Sequence, residues 1–272
     1  MQTGLLSKFM DITRNKHVTA YQDVNILLAL LSKNLTEILD GQLVGLYLTG
    51  SLTYGDFDRG SSDIDFLAVL THALSAKQHR QIEKMHSRIG KDFPVWKKRI
   101  EGSYITKKML SSPKPPKESR PYVNAGKMWD FVYGDEWTLN LYVLYQYGIA
   151  LLGPDPKELI KSVKLDEVRE ASKRNLIQEW QPKINNPSAF RLADYESNHL
   201  QAYAVLTMCR ILYAAKNDGV ASKRVASAWV KKTYGRPWSG LVKKAEDWQH
   251  GKEMNAEEQI KNFIKFTIKE VG

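Results

Sequence analysis

The chain has 272 residues, 43% hydrophobic and 26% charged, which is enough for one large core or two smaller ones. Its net charge of +10 is spread along the length, 19 Lys and Arg against 15 Asp and Glu up to residue 153 and 21 against 15 beyond, so no basic tail stands out. A single cysteine, Cys209, excludes an internal disulfide and any multi-cysteine metal site, and its apolar helical surroundings point to inert packing.

No apolar run approaches the ~18 to 20 residues that a spanning helix needs, and the first ten residues lack a secretory pattern, so a cytoplasmic protein without a membrane partner is expected. Residues 24–39 carry an apolar face at helical spacing and should cover a sheet. The run Leu43–Leu48 is short, branched and aromatic, as a buried strand is. Gly50 should turn the chain into a helix with Ser51 at its start, where unpaired backbone N–H groups and the hydroxyl can hold phosphate oxygens. Residues 63–70 form the next expected strand. Alternation sends Asp63 and Asp65 to one face and Ile64 and Phe66 into apolar packing on the other. Two carboxylates so close repel unless a cation lies between them, and magnesium, which takes one or two carboxylates plus substrate phosphates, is the natural choice.

A polar helix is expected over residues 75–89. His72, His79 and His86 recur every seven residues and read as one solvated stripe, not as a zinc pair. Residues 94–105 read as a strand with a charged start, on which Glu101, Ser103 and Ile105 share a face. A metal site of two aspartates still needs a group to take a proton from an attacking hydroxyl, and Glu101 is placed for it. Residues 111–125, rich in Pro, Ser and Lys, should form a long loop over the site. An apolar helical pattern returns over 138–152 and is broken by Gly153-Pro154. Beyond it the pattern is helical over 165–180, 196–215, 222–232, 238–250 and 256–271. In the second of these, Arg210 sits in a largely apolar stretch, where a cation is costly without an anion.

The ordered set of strand, Gly50-Ser51, eleven residues to Asp63 and the run Ser62-Asp63-Ile64-Asp65-Phe66 resembles the signature of the DNA polymerase β-like nucleotidyltransferase superfamily. Residues 206–230, LTMCRILYAAKNDGVASKRVASAWV, are similar to the C-terminal helical domain of the aminoglycoside (streptomycin and spectinomycin) adenylyltransferases, with Leu152-Gly153-Pro154 at the domain junction. The resemblance implies an α/β (α+β) nucleotidyltransferase domain with a mixed sheet over residues 1–155, then an α-helical bundle over 156–272, with the nucleotide in the cleft between them. It implies magnesium-dependent transfer of AMP from ATP to a hydroxyl of a small acceptor such as spectinomycin. The implied roles are metal binding by Asp63 and Asp65, proton abstraction by Glu101, and nucleotide contacts from Gly50, Ser51, Ser62, Arg210 and Lys223. On the acceptor side it implies Glu196 and a tryptophan, Trp129 or Trp137, with Leu200 standing where streptomycin-accepting members have an aspartate. A nucleotidyltransferase acting on RNA or protein would use the same metal site, so nucleic acid stays open as a partner. A non-catalytic nucleotide-binding regulator is the remaining alternative, and the intact carboxylate set speaks against it.

Overall fold

A computed structural model describes residues 18–60, 62–186, 189–190, 195–249 and 252–272, without the side chains of residues 195–198. Contacts divide the chain into two compact units: one holds the chain to Ser112 with Pro116–Tyr133 and Val143–Ser162, the other Pro113–Pro115, Gly134–Tyr142 and Val163–Gly272. Among the described residues no helix is long and apolar enough to cross a membrane.

The first unit is built on a six-stranded mixed sheet. Its strands are β1 (Leu43–Leu48), β2 (Ile64–Leu70), β3 (Ile100–Thr106), β4 (Arg120–Asn124), β5 (Lys127–Phe131) and β6 (Ile149–Leu152), in the order β5-β4-β3-β2-β1-β6. Only β2 and β3 run parallel; β1 pairs antiparallel with β2 and β6, β4 with β3 and β5. Two helices cover one face, α1 (Gln22–Leu39) and α2 (Ala76–Asp92). Val24, Leu27, Leu31 and Leu35 of α1 recur at helical spacing and bury with Ile82, Met85 and Ile89 of α2 against Leu46, Leu48, Ile64, Phe66, Ala68 and Tyr104. Each such side chain contributes about 1.5 to 3 kcal/mol when fully buried. Ser75 starts α2 with a capping box, accepting from the Gln78 amide at 3.3 Å while the Gln78 side chain accepts from the Ser75 amide at 3.0 Å.

Several expectations need correction. The helix expected after Gly50 is a single 3-10 turn, Gly50–Leu52. Pro94 starts a second such turn, Pro94–Trp96, which delays β3 to Ile100. The loop expected over 111–125 closes into strand β4, which with β5 makes a hairpin turning at Ala125 and Gly126, both at positive φ. The apolar helix expected to run to 152 is α3 (Glu136–Tyr147), and β6 follows it after Gly148. His86 is not solvated: it is buried on the inner side of α2, its Nε2 2.6 Å from the Tyr104 hydroxyl, while His72 precedes the helix. Gly153 lies where any side chain would meet the Val44 carbonyl at 2.3 Å, and a short helix, α4 (Pro156–Leu159), capped by Asp155, follows it.

The second unit is helical: α5 (Leu165–Asn175), α6 (Gln181–Asn185), α7 (Tyr195–Lys216), α8 (Lys223–Tyr234), α9 (Ser239–Glu246) and α10 (Glu257–Val271). A π-helical turn, Leu176–Trp180, separates α5 from α6, just before Gln181-Pro182, where the proline N–H is missing from the ladder. The core gathers Trp180, Phe190, Val205, Met208, Cys209, Leu212, Ala226, Val230, Phe263 and Ile264. Cys209 is fully buried, as expected, and burial pushes its thiol up to about 12.

Candidate active site

The sheet face turned away from α1 and α2 carries the chemistry. Parallel pairing sets Asp65 beside Glu101 and Leu67 beside Ser103, and antiparallel pairing sets Ser103 beside Tyr122 and Tyr122 beside Trp129. Side chains directly opposite across a ladder share a face, and so do residues two apart on a strand, so Asp65, Glu101, Tyr122 and Trp129 form a staggered row on one face across four strands, Tyr122 lying opposite Ser103. Their neighbours Ile64, Phe66, Tyr104 and Val123 point the other way, into the core under α1 and α2.

Gly50 is built into this row. Its φ is +63°, and a Cβ placed on it would stand 1.9 Å from the Asp65 carboxylate, which therefore lies directly on the glycine backbone. Thr49 donates its amide to the Asp65 carbonyl at 3.0 Å, and Thr53 closes the turn on the Gly50 carbonyl through its amide at 3.0 Å and its hydroxyl at 2.8 Å. Ser51 thus sits in a tight turn against the aspartate strand. A three-residue turn has no helix dipole to offer, so what Gly50 and Ser51 present to an anion is turn amides and one hydroxyl.

Asp63 lies one residue ahead of β2 and is held from the side by Arg99. The guanidinium is 3.8 Å from the Asp63 carboxylate, donates to the Arg59 carbonyl at 3.1 Å and to the Ser62 carbonyl, and stacks 4.5 Å above the Trp96 ring. Ser62 uses its hydroxyl to accept from the Asp58 amide at 3.0 Å, so it shapes the loop before the aspartates. Arg59 in turn pairs with Asp23 at 2.9 Å, and the Trp96 indole donates to the same carboxylate at 2.9 Å. Arg59, Trp96 and a backbone amide hold the Asp23 carboxyl below its usual value against the opposing pull of burial.

Glu101 accepts a hydrogen bond from the Tyr122 hydroxyl, which itself accepts from the Asn124 side chain at 3.0 Å. Burial, then the Glu101 charge, drive the Tyr122 phenol far above its ordinary value, so it stays protonated and donating. Tyr122 and Arg99 are the residues that sequence reasoning missed. Tyr122 fell in a segment read as loop, and Arg99 in the charged start of the strand expected over 94–105.

The tryptophans separate clearly. Trp129 is 48% exposed on the row that carries Glu101, with Phe131 beside it at 51% and T-shaped to Tyr122; Trp137 is 1% exposed, inside packing. In the helical unit, Arg210 is half-buried on α7 and pairs with no carboxylate among the described residues. Lys223 opens α8 after its cap, Ser222, and its ammonium stands 5.8 Å over the ring of Tyr203, seven residues before Arg210 on α7. Glu196 falls in the first turn of α7, its side chain outside the described set. Leu200 packs partly against the helical core.

The donor chemistry suits magnesium. Among the described residues no cluster of three His, Cys, Asp or Glu side chains makes an all-protein cage, and a pair of hard carboxylate oxygens is what magnesium uses when phosphate oxygens and water complete its shell.

Comparison with known proteins bears on the family. The nucleotidyltransferase domain model matches residues 30–111, which hold β1, the Gly50 turn, Asp63, Asp65 and Glu101, and the chain is a nucleotidyltransferase. The model of the aminoglycoside adenylyltransferase C-terminal domain matches residues 158–270, so the chain is, more narrowly, an aminoglycoside adenylyltransferase-like nucleotidyltransferase. It is 24% identical to a spectinomycin 9-adenylyltransferase of Campylobacter jejuni, over 71% of this chain and 72% of the relative, and 24% identical to one of Staphylococcus aureus strain Mu50, over 72% and 74%. The fold matches that of a spectinomycin adenyltransferase, AAD(9) from Enterococcus faecialis, solved with ATP and spectinomycin. The TM-score is 0.65 at 18% identity, covering 90% of this chain and 98% of the other.

Proposed function

We propose that this enzyme transfers AMP from ATP to a hydroxyl of a small aminoglycoside-type acceptor, spectinomycin in preference to streptomycin, and does so in the cytoplasm, where ATP and magnesium are abundant. The observation that carries the reading is the Asp65–Glu101 pair, side by side in register with Gly50 beneath the aspartate. Asp63 and Asp65 hold magnesium, which when bound supplies charge neutralisation to the phosphate oxygens. The Gly50 and Ser51 turn takes the triphosphate tail, and Arg210 and Lys223 add positive charge to it. Glu101 takes the proton of the acceptor hydroxyl. The acceptor oxygen then bonds to the α-phosphorus, the bond from that phosphorus to the bridging oxygen breaks, and pyrophosphate leaves. Trp129 offers the acceptor an aromatic surface on the same sheet face as Glu101, two strands away, whereas the burial of Trp137 suits packing. Domain boundaries near 155 follow the same reading.

The preference for spectinomycin rests on Leu200. An apolar side chain there cannot pair with the guanidinium groups of streptomycin, and a desolvated cation without a partner costs roughly 1 to 3 kcal/mol, about ten- to hundred-fold in discrimination. Pyrophosphate release measured side by side on the two drugs, with mass spectrometry of the products, tests this. Faster release with streptomycin removes the Leu200 argument, and no release with either removes the aminoglycoside acceptor.

A further inference from the structure

The +10 charge has a place. On α2, Lys77, Arg80, Lys84, Arg88 and Lys91 are all exposed and fall at spacings of three, four, four and three residues. At about 100° per residue they occupy an arc of about 80°, and at about 1.5 Å per residue the row is about 21 Å long. Glu83 and Asp92 fall outside that arc, and the residues between the cations within it or at its border, Gln81 and Ser87, are uncharged. None of the five cations makes an ion pair among the described residues.

Elsewhere this protein uses the same spacing differently. Lys33–Glu37, Lys173–Glu170, Lys183–Glu179, Lys243–Asp247 and Lys261–Glu258 place opposite charges three or four residues apart. Such pairs stabilise a helix by a few tenths of a kcal/mol, and like charges at that spacing cost as much. The α2 row therefore repeats a small unfavourable contact along five cations with no acid paired to any of them, whereas the shorter run of Lys261, Lys265 and Lys269 on α10 has the same spacing but sets Lys261 against Glu258. The α2 row does not serve the triphosphate, because Ile82, Met85 and Ile89 fix α2 to the sheet face opposite Asp65 and Glu101.

We infer that the α2 row is a docking surface for the phosphodiester backbone of a nucleic acid, bound without regard to sequence. A membrane surface is a poorer fit: an interfacial helix needs its apolar face, and that of α2 is spent on the core. A protein partner would want an apolar or aromatic anchor at the centre of the contact, and the row has none. A regular, linear polyanion needs only the spaced cations, and its binding is driven by counterion release.

Fluorescence anisotropy with labelled single-stranded RNA, single-stranded DNA and duplex DNA, read against salt, tests this. The intact chain should bind with affinity falling steeply as salt rises. Arg80→Gln/Lys84→Gln/Arg88→Gln should lower the slope of log affinity against log salt by about 2 to 3, at about 0.7 to 0.9 for each phosphate left unneutralised. Pyrophosphate release should stay within about two-fold, since the row lies behind the sheet. Lys232→Gln/Lys265→Gln/Lys269→Gln removes the same charge from the helical unit and should leave the slope nearly unchanged. The three nucleic acids tell which backbone is preferred. Equal weakening in the two triple variants overturns the proposal in favour of net charge alone, heparin binding as tightly as every nucleic acid overturns the choice of partner, and no binding at near-physiological salt overturns it outright.

Discussion

Glu101 and Tyr122 act as a pair in the proposed reaction, and their coupling is measurable. Glu101→Gln keeps the shape but loses the base, so ATP–magnesium should still raise the melting temperature while turnover falls about a hundred-fold or more. Tyr122→Phe removes the hydroxyl that donates to Glu101, a bond to a charged group worth about 1.5 to 3 kcal/mol, and turnover should fall about ten- to hundred-fold with the ATP KM little changed. The decisive variant is the double one. If Tyr122 works through Glu101, adding Tyr122→Phe to Glu101→Gln costs almost nothing further; if the two losses multiply, Tyr122 has a separate, structural part. The faces of Asp65 and Glu101 were legible in the sequence because alternation along each strand fixes them. Tyr122 was not, since its place beside Glu101 depends on a ladder between segments some twenty residues apart.

At the level of elements, the strands that read correctly, β1 and β2, are apolar runs whose surroundings do not matter to the reading. The hairpin of β4 and β5 was hidden by its own composition. Pro121 lies inside β4, and β5 is exposed along most of its length, so neither shows a buried strand's pattern; pairing with β3 imposes the conformation. The α2 helix shows a second limit: its seven-residue histidine spacing looked solvated, but the turn phase sends His86 inward. Burial there lowers the His86 value from 6.5 to about 3, so the folded protein keeps it neutral while the unfolded chain takes a proton below about pH 6.5. The resulting stability is complete above pH 6.5 and is lost as pH falls towards 3, by about 1.4 kcal/mol for each pH unit. Urea titrations between about pH 7 and 4.5 should show that slope, and His86→Gln should flatten it. A slope unaltered in the variant assigns the acid sensitivity to other groups.

For the whole molecule, the two units divide the labour the reading assigns: carboxylates and the Gly50 turn in one, Arg210 and Lys223 in the other. Arg210 lies on α7 amid Cys209, Ile211 and Leu212, and the described residues supply it no carboxylate. If its anion is the triphosphate, Arg210→Ala should raise the ATP KM about ten-fold or more and leave the acceptor KM nearly constant, with the melting temperature of the nucleotide-free protein unchanged or higher. A rise in the acceptor KM alone would move Arg210 to the other substrate. The helical unit was readable as helices, because each carries long periodic runs, but the part its cations play rests on family likeness and not on spacing.

Trp129, Phe131 and Val132 stand bare on and just after β5, and β5 is the outermost strand of the sheet, with backbone groups turned outward along it. The platform that suits a ligand is thus also an open template for another strand, the usual first contact in sheet-to-sheet aggregation. Lys127 and Asp130 are the only charges on the strand that oppose this. The protein should scatter light increasingly with concentration when its acceptor is absent. A saturating acceptor lying over the aromatics should delay that onset, so storage behaviour would report occupancy of the same strand that turnover reports.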